Sequence, residues 1–212
     1  MSSAAARTRT RTRRRARRRS PVRRRRLTLL AVAGALAAGT AATIAGVGPF
    51  GDALREITLP LRHDDIIRQQ ASEKSLDPAL IAAVIYEESR FRDQTSHAGA
   101  RGLMQITPET ARFIARDSGG VAFVEGDLGT PQINIAYGSY FLRYLLGRYD
   151  GDVKLAVAAY NAGETRVNEW VADGGGELEV GEIPFPETRA YVDNVLDRRD
   201  EYADHYADDL GL

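Results

Sequence analysis

The chain has no cysteine, which excludes a disulfide framework and a thiolate metal site. Its three histidines, His63, His97 and His205, are scattered and form no ligand-spaced pair. There is no HExxH segment and no Gly-rich phosphate loop, so neither a metal nor a cofactor is implied. Alternating apolar and polar runs long enough to build a sheet are missing, which leaves helices as the building material. No repeat at a solenoid period is present. Acidic residues are absent from residues 1 to 26, although the whole chain balances 29 Lys+Arg against 29 Asp+Glu. With 43% hydrophobic residues over 212 positions, the chain is not wholly disordered and has room for one core-forming domain.

The balanced charge conceals two electrostatic objects. Residues 1 to 26 hold 13 arginines, so the remainder carries 16 basic residues against 29 acidic ones. The Arg/Thr/Ser run from Arg7 to Arg26 has too little apolar surface to offset its ordering entropy and is expected to be a disordered tail. Alone it would suit nucleic acid or anionic lipid. The next segment decides against nucleic acid. Leu27 to Val47 is 21 residues without a charge, and as a helix it would span about 31 Å, close to a bilayer's hydrocarbon thickness. Arginines on its N-terminal flank predict a cytoplasmic tail and an exported remainder. Two outcomes fit this segment. Its length, beyond a usual signal-peptide core, suits a single-pass membrane anchor; the small residues around Ala35-Leu36-Ala37 or Thr40-Ala41-Ala42 suit cleavage by a signal peptidase and secretion.

Gly48 to Arg62 mixes Gly, Pro and isolated apolar residues and is expected to be a linker. Residues 63 to 208 then read as a compact, mainly α domain. Asp77-Pro78, Thr107-Pro108 and Thr130-Pro131 each pair a capping side chain with proline at the first helical position, marking three helix starts. In the third helix Ile133, Ala136, Tyr137, Tyr140, Phe141, Tyr144 and Leu145 predict one wide apolar face. A last helix from Glu187 repeats the spacing in Tyr191, Val192, Val195, Leu196 and Tyr202. Ser118-Gly119-Gly120 and Asp173 to Gly176 mark breaks.

One residue conflicts with its surroundings. In the helix from Asp77 to Phe91 the apolar face is defined by Ile81, Val84 and Ile85, and at about 100° per residue Glu88 falls on that face while Glu87 points away. A carboxylate so placed is costly when charged and responds with a raised pKa, the property of a general acid. A buried Glu paired with Arg90, Arg92 or Arg101 fits the same pattern, and helical geometry does not separate the two. Glu87 is expected to be a solvated surface charge. Downstream, Gln105 offers amide donors and an acceptor to a polar substrate, and Tyr160-Asn161 stand just before a glycine helix stop. Met104 and Tyr160 fit equally well as core residues.

Taken in order, four blocks are far more specific than their members: Glu88-Ser89 after an apolar helix, GARGLMQITPETA at Gly99 to Ala111, AAYNAG at Ala158 to Gly163, and IPFPETRAYVDNVL at Ile183 to Leu196. The set resembles the soluble lytic transglycosylase family, lysozyme-like enzymes that cleave peptidoglycan. One departure is a connection one residue shorter between Glu88-Ser89 and Ser96, occupied by Arg92-Asp93-Gln94-Thr95; the match keeps Glu88, which precedes Ser89 and faces the core.

The resemblance implies a lysozyme-like transglycosylase domain behind the N-terminal helix, with Glu88 as the single catalytic carboxylate. It implies that Glu88 protonates the glycosidic oxygen between N-acetylmuramic acid and N-acetylglucosamine, then takes the proton of the muramyl C6 hydroxyl to close a 1,6-anhydro ring without water. Ser96 would polarise the acetamido group, and Met104, Gln105, Tyr160, Asn161 and Tyr191 would line the sugar groove. The implied partners are glycan strands, and a membrane through the N-terminal helix; partners among proteins of cell-wall synthesis or division are not named by any residue. A goose-type lysozyme, which adds water, and a non-catalytic peptidoglycan-binding module are the competing functions. The retained Glu88 argues against the module, and the GLMQ and AYNAG blocks favour the transglycosylase.

Overall fold

A computed structural model of the chain describes residues 49–119, 124–176 and 178–212. The arginine-rich run and the apolar stretch from Leu27 to Val47 lie outside these residues. Among the described residues no helix is long and apolar enough to cross a membrane. The chain divides into two compact units, Met1–Leu54 and Arg55–Leu212. The described end of the first is the opening of helix α1 (Pro49–Thr58).

The second unit is helical: after the end of α1 come α2 (Asp64–Lys74), α3 (Pro78–Ser89), α4 (Pro108–Asp117), α5 (Pro131–Arg148), α6 (Val153–Ala162), α7 (Glu164–Asp173), α8 (Pro186–His205) and α9 (Ala207–Leu210). Extended pairing among the described residues is confined to isolated bridges, Thr95 with Arg101 and Arg101 with Ile106. The three expected starts are present, each with proline in its first turn. Asp77 Oδ1 accepts from the Ala79 amide at 2.8 Å and Thr107 Oγ1 from the Thr110 amide at 3.1 Å, so both side chains satisfy backbone donors that a helix start leaves open. Thr130 makes no such side-chain bond.

Helix α3 is central. Every residue from Ala79 to Tyr86 is buried, together with Ser89, so the helix has no single apolar face of the kind its spacing predicts. Its most extensive packing is against α8. Each of Leu80, Ile81, Val84 and Ile85 contributes roughly 1.5–3 kcal/mol by leaving water. The helix ends in two consecutive left-handed residues, Arg90 (φ 53°) and Phe91 (φ 58°). Burial of Phe91, whose ring lies 6.1 Å from that of Tyr202, offsets a backbone cost of order 1 kcal/mol per residue.

Helix α5 departs from expectation. Its buried residues are Asn134, Ile135, Gly138, Ser139, Leu142 and Leu145. The predicted stripe is only half-buried at Ile133, Ala136, Tyr137, Tyr140, Phe141 and Tyr144. A small residue contributes to the rotation: at Gly138 a Cβ would collide with the Met104 side chain, so the core side is set by close approach rather than by bulk. The aromatics are displaced to the flank.

The stretch expected as a linker contains α1, and its end is docked. Tyr86 donates its hydroxyl to the carbonyl of Thr58 at 2.8 Å, Tyr206 to that of Leu59 at 2.8 Å, and Tyr202 to that of Pro60 at 2.6 Å. Leu59 is 4% exposed. Periodicity could not reveal this attachment, because the three donors come from α3 and from the end of the chain.

Candidate active site

Glu88 occupies the last turn of α3, partly buried, with Oε1 accepting the hydroxyl of Tyr191 on α8 at 2.6 Å. Burial pushes its carboxyl from the ordinary 4.5 up to about 7; the Tyr191 hydrogen bond opposes that rise, and the charge of Glu87 adds to it. The charge acting on Glu88 is therefore that of Glu87, not that of an arginine. Arg90, one of the expected pairing partners, instead lies over the Tyr86 ring, 4.2 Å from its centroid. A carboxyl titrating near neutrality can give a proton and take one back.

Glu87 corrects the expectation of a solvated charge. Its side chain is only 9% exposed, with Oε1 3.8 Å from Nε of Arg198 and Oε2 accepting from Asn194 at 3.4 Å. Arg198 also lies 4.7 Å from the Tyr86 ring centroid and pairs with Glu201. Helix α8 thus holds both carboxylates, pairing one with Arg198 and giving the other an uncharged donor.

The segment from Arg92 to Ile106 folds back over the end of α3. Gln94 Nε2 donates to the Glu88 carbonyl at 3.1 Å, and the Gln94 carbonyl accepts from the Gly102 amide at 2.9 Å and from Gln105 Nε2 at 3.1 Å. Gln105 Nε2 also reaches the Gly102 carbonyl at 2.8 Å. The amide donors of Gln105, expected to face substrate, are thus spent inside the loop. Ser96 Oγ accepts from the Ala100 amide at 3.0 Å at the turn, a place half-exposed for Ser96 and exposed for His97.

Met104 is a correction. It was expected to line the sugar groove, yet it is 0% exposed, pressed into the space that Gly138 leaves. Its backbone, by contrast, serves the site: the Met104 carbonyl accepts the Tyr160 hydroxyl at 2.9 Å, and its amide donates to Asn134 Oδ1 at 2.8 Å. Tyr160 and Tyr191 are both close enough to Glu88 for its charge to raise their pKa values, after the larger effect of burial. Asn161 is exposed, its Oδ1 accepting from the buried Thr188 at 2.9 Å.

Two supports of this site carried no recognised signal. Asn134 accepts from Met104 and donates Nδ2 to the carbonyls of Arg101 and Leu128, each at 2.9 Å. A Cβ on Gly102 (φ 77°) would strike the Asn134 amide, so that glycine is required both by its left-handed backbone and by proximity. An asparagine amid the apolar spacing of α5 was the available clue, since a buried amide is retained where its hydrogen bonds are met. Gln94 had no comparable signal in a polar loop.

A family model described as "Transglycosylase SLT domain" matches residues 65–179, more than half of the chain. The chain belongs to the transglycosylase SLT domain family. The chain is 35% identical over 161 residues to the soluble lytic murein transglycosylase of Escherichia coli (strain K12), a match covering 73% of this chain and 24% of that protein. The chain therefore spans about a quarter of the length of the curated relatives it matches. Among solved structures, the 70 kDa soluble lytic transglycosylase from Escherichia coli superposes with a TM-score of 0.69 at 32% identity, over 78% of this chain and 27% of that one. An inactive Glu-to-Gln mutant of the lytic transglycosylase Slt from Pseudomonas aeruginosa gives 0.67 at 33%, over 72% and 25%. The SLT fold is thus mainly helical, as the spacing of its prolines and apolar residues implied.

Proposed function

We propose that this chain is a peptidoglycan lytic transglycosylase and that Glu88 is its one catalytic carboxylate. The observation that carries the reading is the environment of Glu88: a partly buried carboxyl, raised to about 7 and oriented by Tyr191 at 2.6 Å. Protonated Glu88 gives its proton to the glycosidic oxygen linking N-acetylmuramic acid to N-acetylglucosamine, and the C1–O bond breaks. The substrate's acetamido oxygen supports the cationic C1, a role that removes the need for a second carboxylate. Glu88, now a carboxylate, accepts the proton of the muramyl C6 hydroxyl as that oxygen bonds to C1. No water is consumed, and Glu88 ends as it began.

The surroundings support these roles. Glu87 is held by Arg198 and Asn194 and is not free to act as a second acid. Ser96, whose oxygen already accepts from Ala100, retains its hydroxyl hydrogen for the acetamido group. Tyr160, Asn161, Tyr191 and the carbonyl oxygen of Gln105 provide the polar lining. The inactivity of a Glu-to-Gln mutant in the Pseudomonas relative agrees with a glutamate-dependent reaction. The catalytic domain, residues 63 to 208, acts outside the cytoplasm, tethered by Leu27 to Val47 with residues 1 to 26 inside, or released if that segment is cleaved.

The test is mass spectrometry of muropeptides released from purified peptidoglycan by the full chain and by its Glu88→Gln variant. Products one water lighter than their hydrolytic counterparts, absent with the variant, are expected. Reducing ends would make the protein a lysozyme-type hydrolase. Pelleting with the sacculus but no release would make it a binding module.

A further inference from the structure

We propose that Tyr86 is a positioning residue for the reaction at Glu88, a role that rests on the function proposed above. Held by the carbonyl of Thr58, it fixes how the last turn of α3 sits on α8 and so keeps the Tyr191 hydroxyl on Glu88 Oε1. Residues two apart on a helix differ by about 200°, so Tyr86 and Glu88 leave α3 on nearly opposite sides. Both nevertheless meet α8, because α3 ends across it.

Three consecutive residues of α3 meet α8 at successive levels. The Tyr86 ring stands edge-on to that of Tyr202 with centroids 6.3 Å apart, Glu87 meets Arg198 and Asn194, and Glu88 meets Tyr191. Tyr202, Arg198, Asn194 and Tyr191 follow one another at three and four residue steps and so share one face of α8. The outer two contacts are therefore roughly 16 Å apart along that helix. A helix end held at two separated points cannot swing about either one. Released at Tyr86, it can pivot at Glu88, and a hydrogen bond weakens steeply when its angle is lost.

Tyr86 is itself firmly held. It is 4% exposed, its hydroxyl reaches the Thr58 carbonyl at 2.8 Å, and its ring has Arg90 at 4.2 Å and Arg198 at 4.7 Å from the centroid. The same Arg198 lies 3.8 Å from Glu87 Oε1, beside the reacting carboxyl. The anchor is fixed in turn, since the next two carbonyls, of Leu59 and Pro60, accept from Tyr206 and Tyr202. The titratable groups that act on Glu88 or feel its charge are Glu87 on α3, Tyr191 on α8 and Tyr160 on α6. Tyr86→Phe changes none of them, so any effect it has on Glu88 is one of position.

The experiment follows cleavage of soluble, uncross-linked peptidoglycan strands by the full chain, with kcat and KM measured from about pH 5 to 9. Tyr86→Phe is expected to lower the plateau kcat about threefold to tenfold with KM within about twofold. Its alkaline limb should move upward, the direction expected of Tyr191→Phe, because a weakened Tyr191 bond no longer lowers the Glu88 pKa. Tyr206→Phe removes a matching hydroxyl-to-carbonyl bond, to Leu59, and is expected to lower the Tm comparably while leaving kcat and the limb in place. Added to Tyr191→Phe, Tyr86→Phe should move the limb no further. An unshifted limb in Tyr86→Phe, an equal shift in Tyr206→Phe, or full additivity with Tyr191→Phe would overturn the positioning role and leave the Glu88 reaction standing. No cleavage by the unaltered chain, or cleavage that survives Glu88→Gln, would overturn the proposed function and this role with it.

Discussion

The hydroxyl of Tyr191 on α8 donates to Oε1 of Glu88 on α3 at 2.6 Å, across 103 positions of sequence. This bond stabilises the charged carboxylate, while burial and the neighbouring Glu87 stabilise the neutral acid. The balance near 7 therefore depends on two helices and three side chains rather than on Glu88 alone.

Opposite shifts in pH dependence follow from that balance. A general acid works while protonated, so the rate of peptidoglycan cleavage should fall as pH rises through about 7. Tyr191→Phe removes the bond that lowers the Glu88 pKa and should move the alkaline limb upward. Glu87→Gln removes the charge that raises it and should move the limb downward. Initial rates from about pH 5 to 9 check both directions; shifts of the same sign would contradict the assignment.

Stability should respond to the same carboxyl with a definite sign. Native Glu88 holds its proton to about 7, whereas the unfolded chain releases it near 4.5. Between those values the native state binds more protons, so this group's contribution falls as pH rises. Glu88→Gln should therefore stabilise the protein at about pH 8 by about 1–3 kcal/mol, and the gain should vanish below about pH 4.5. Urea midpoints of the two proteins at both pH values measure it.

Asn134 should prove more costly to replace than its sequence position suggests. Asn134→Leu leaves the Met104 amide without its acceptor and the Arg101 and Leu128 carbonyls without their donor. A loss of about 2–4 kcal/mol is expected, seen as a lowered Tm in thermal denaturation.

The tyrosine clamp predicts where a fragment can begin. A fragment starting at Leu61 lacks the carbonyls of Thr58, Leu59 and Pro60, which accept from the hydroxyls of Tyr86, Tyr206 and Tyr202. It should be less stable in urea than one starting at Arg55, by about 1–3 kcal/mol in total, from the lost hydrogen bonds and the lost burial of Leu59. Tyr202→Phe should destabilise the longer fragment by about 1 kcal/mol and leave the shorter one unchanged or more stable.

By itself the sequence determined the helical class, the three proline-marked helix starts, the order of the four blocks and the prominence of Glu88. Each is a local property: a cap acts on amides two or three residues away, and a carboxylate amid apolar residues stands out within one helix. Tertiary structure decided what each side chain meets. Helical spacing turned the aromatics of α5 toward the core, but the contact of Gly138 with Met104 and the bonds of Asn134 turned them to the flank. The same spacing put Glu87 in solvent, and Arg198 from α8, more than a hundred residues later, covers it. Met104 went to the core and Tyr191 to Glu88 for the same reason: which atoms face one another across packed helices depends on the volumes that fit between them, and no single helix's periodicity records that.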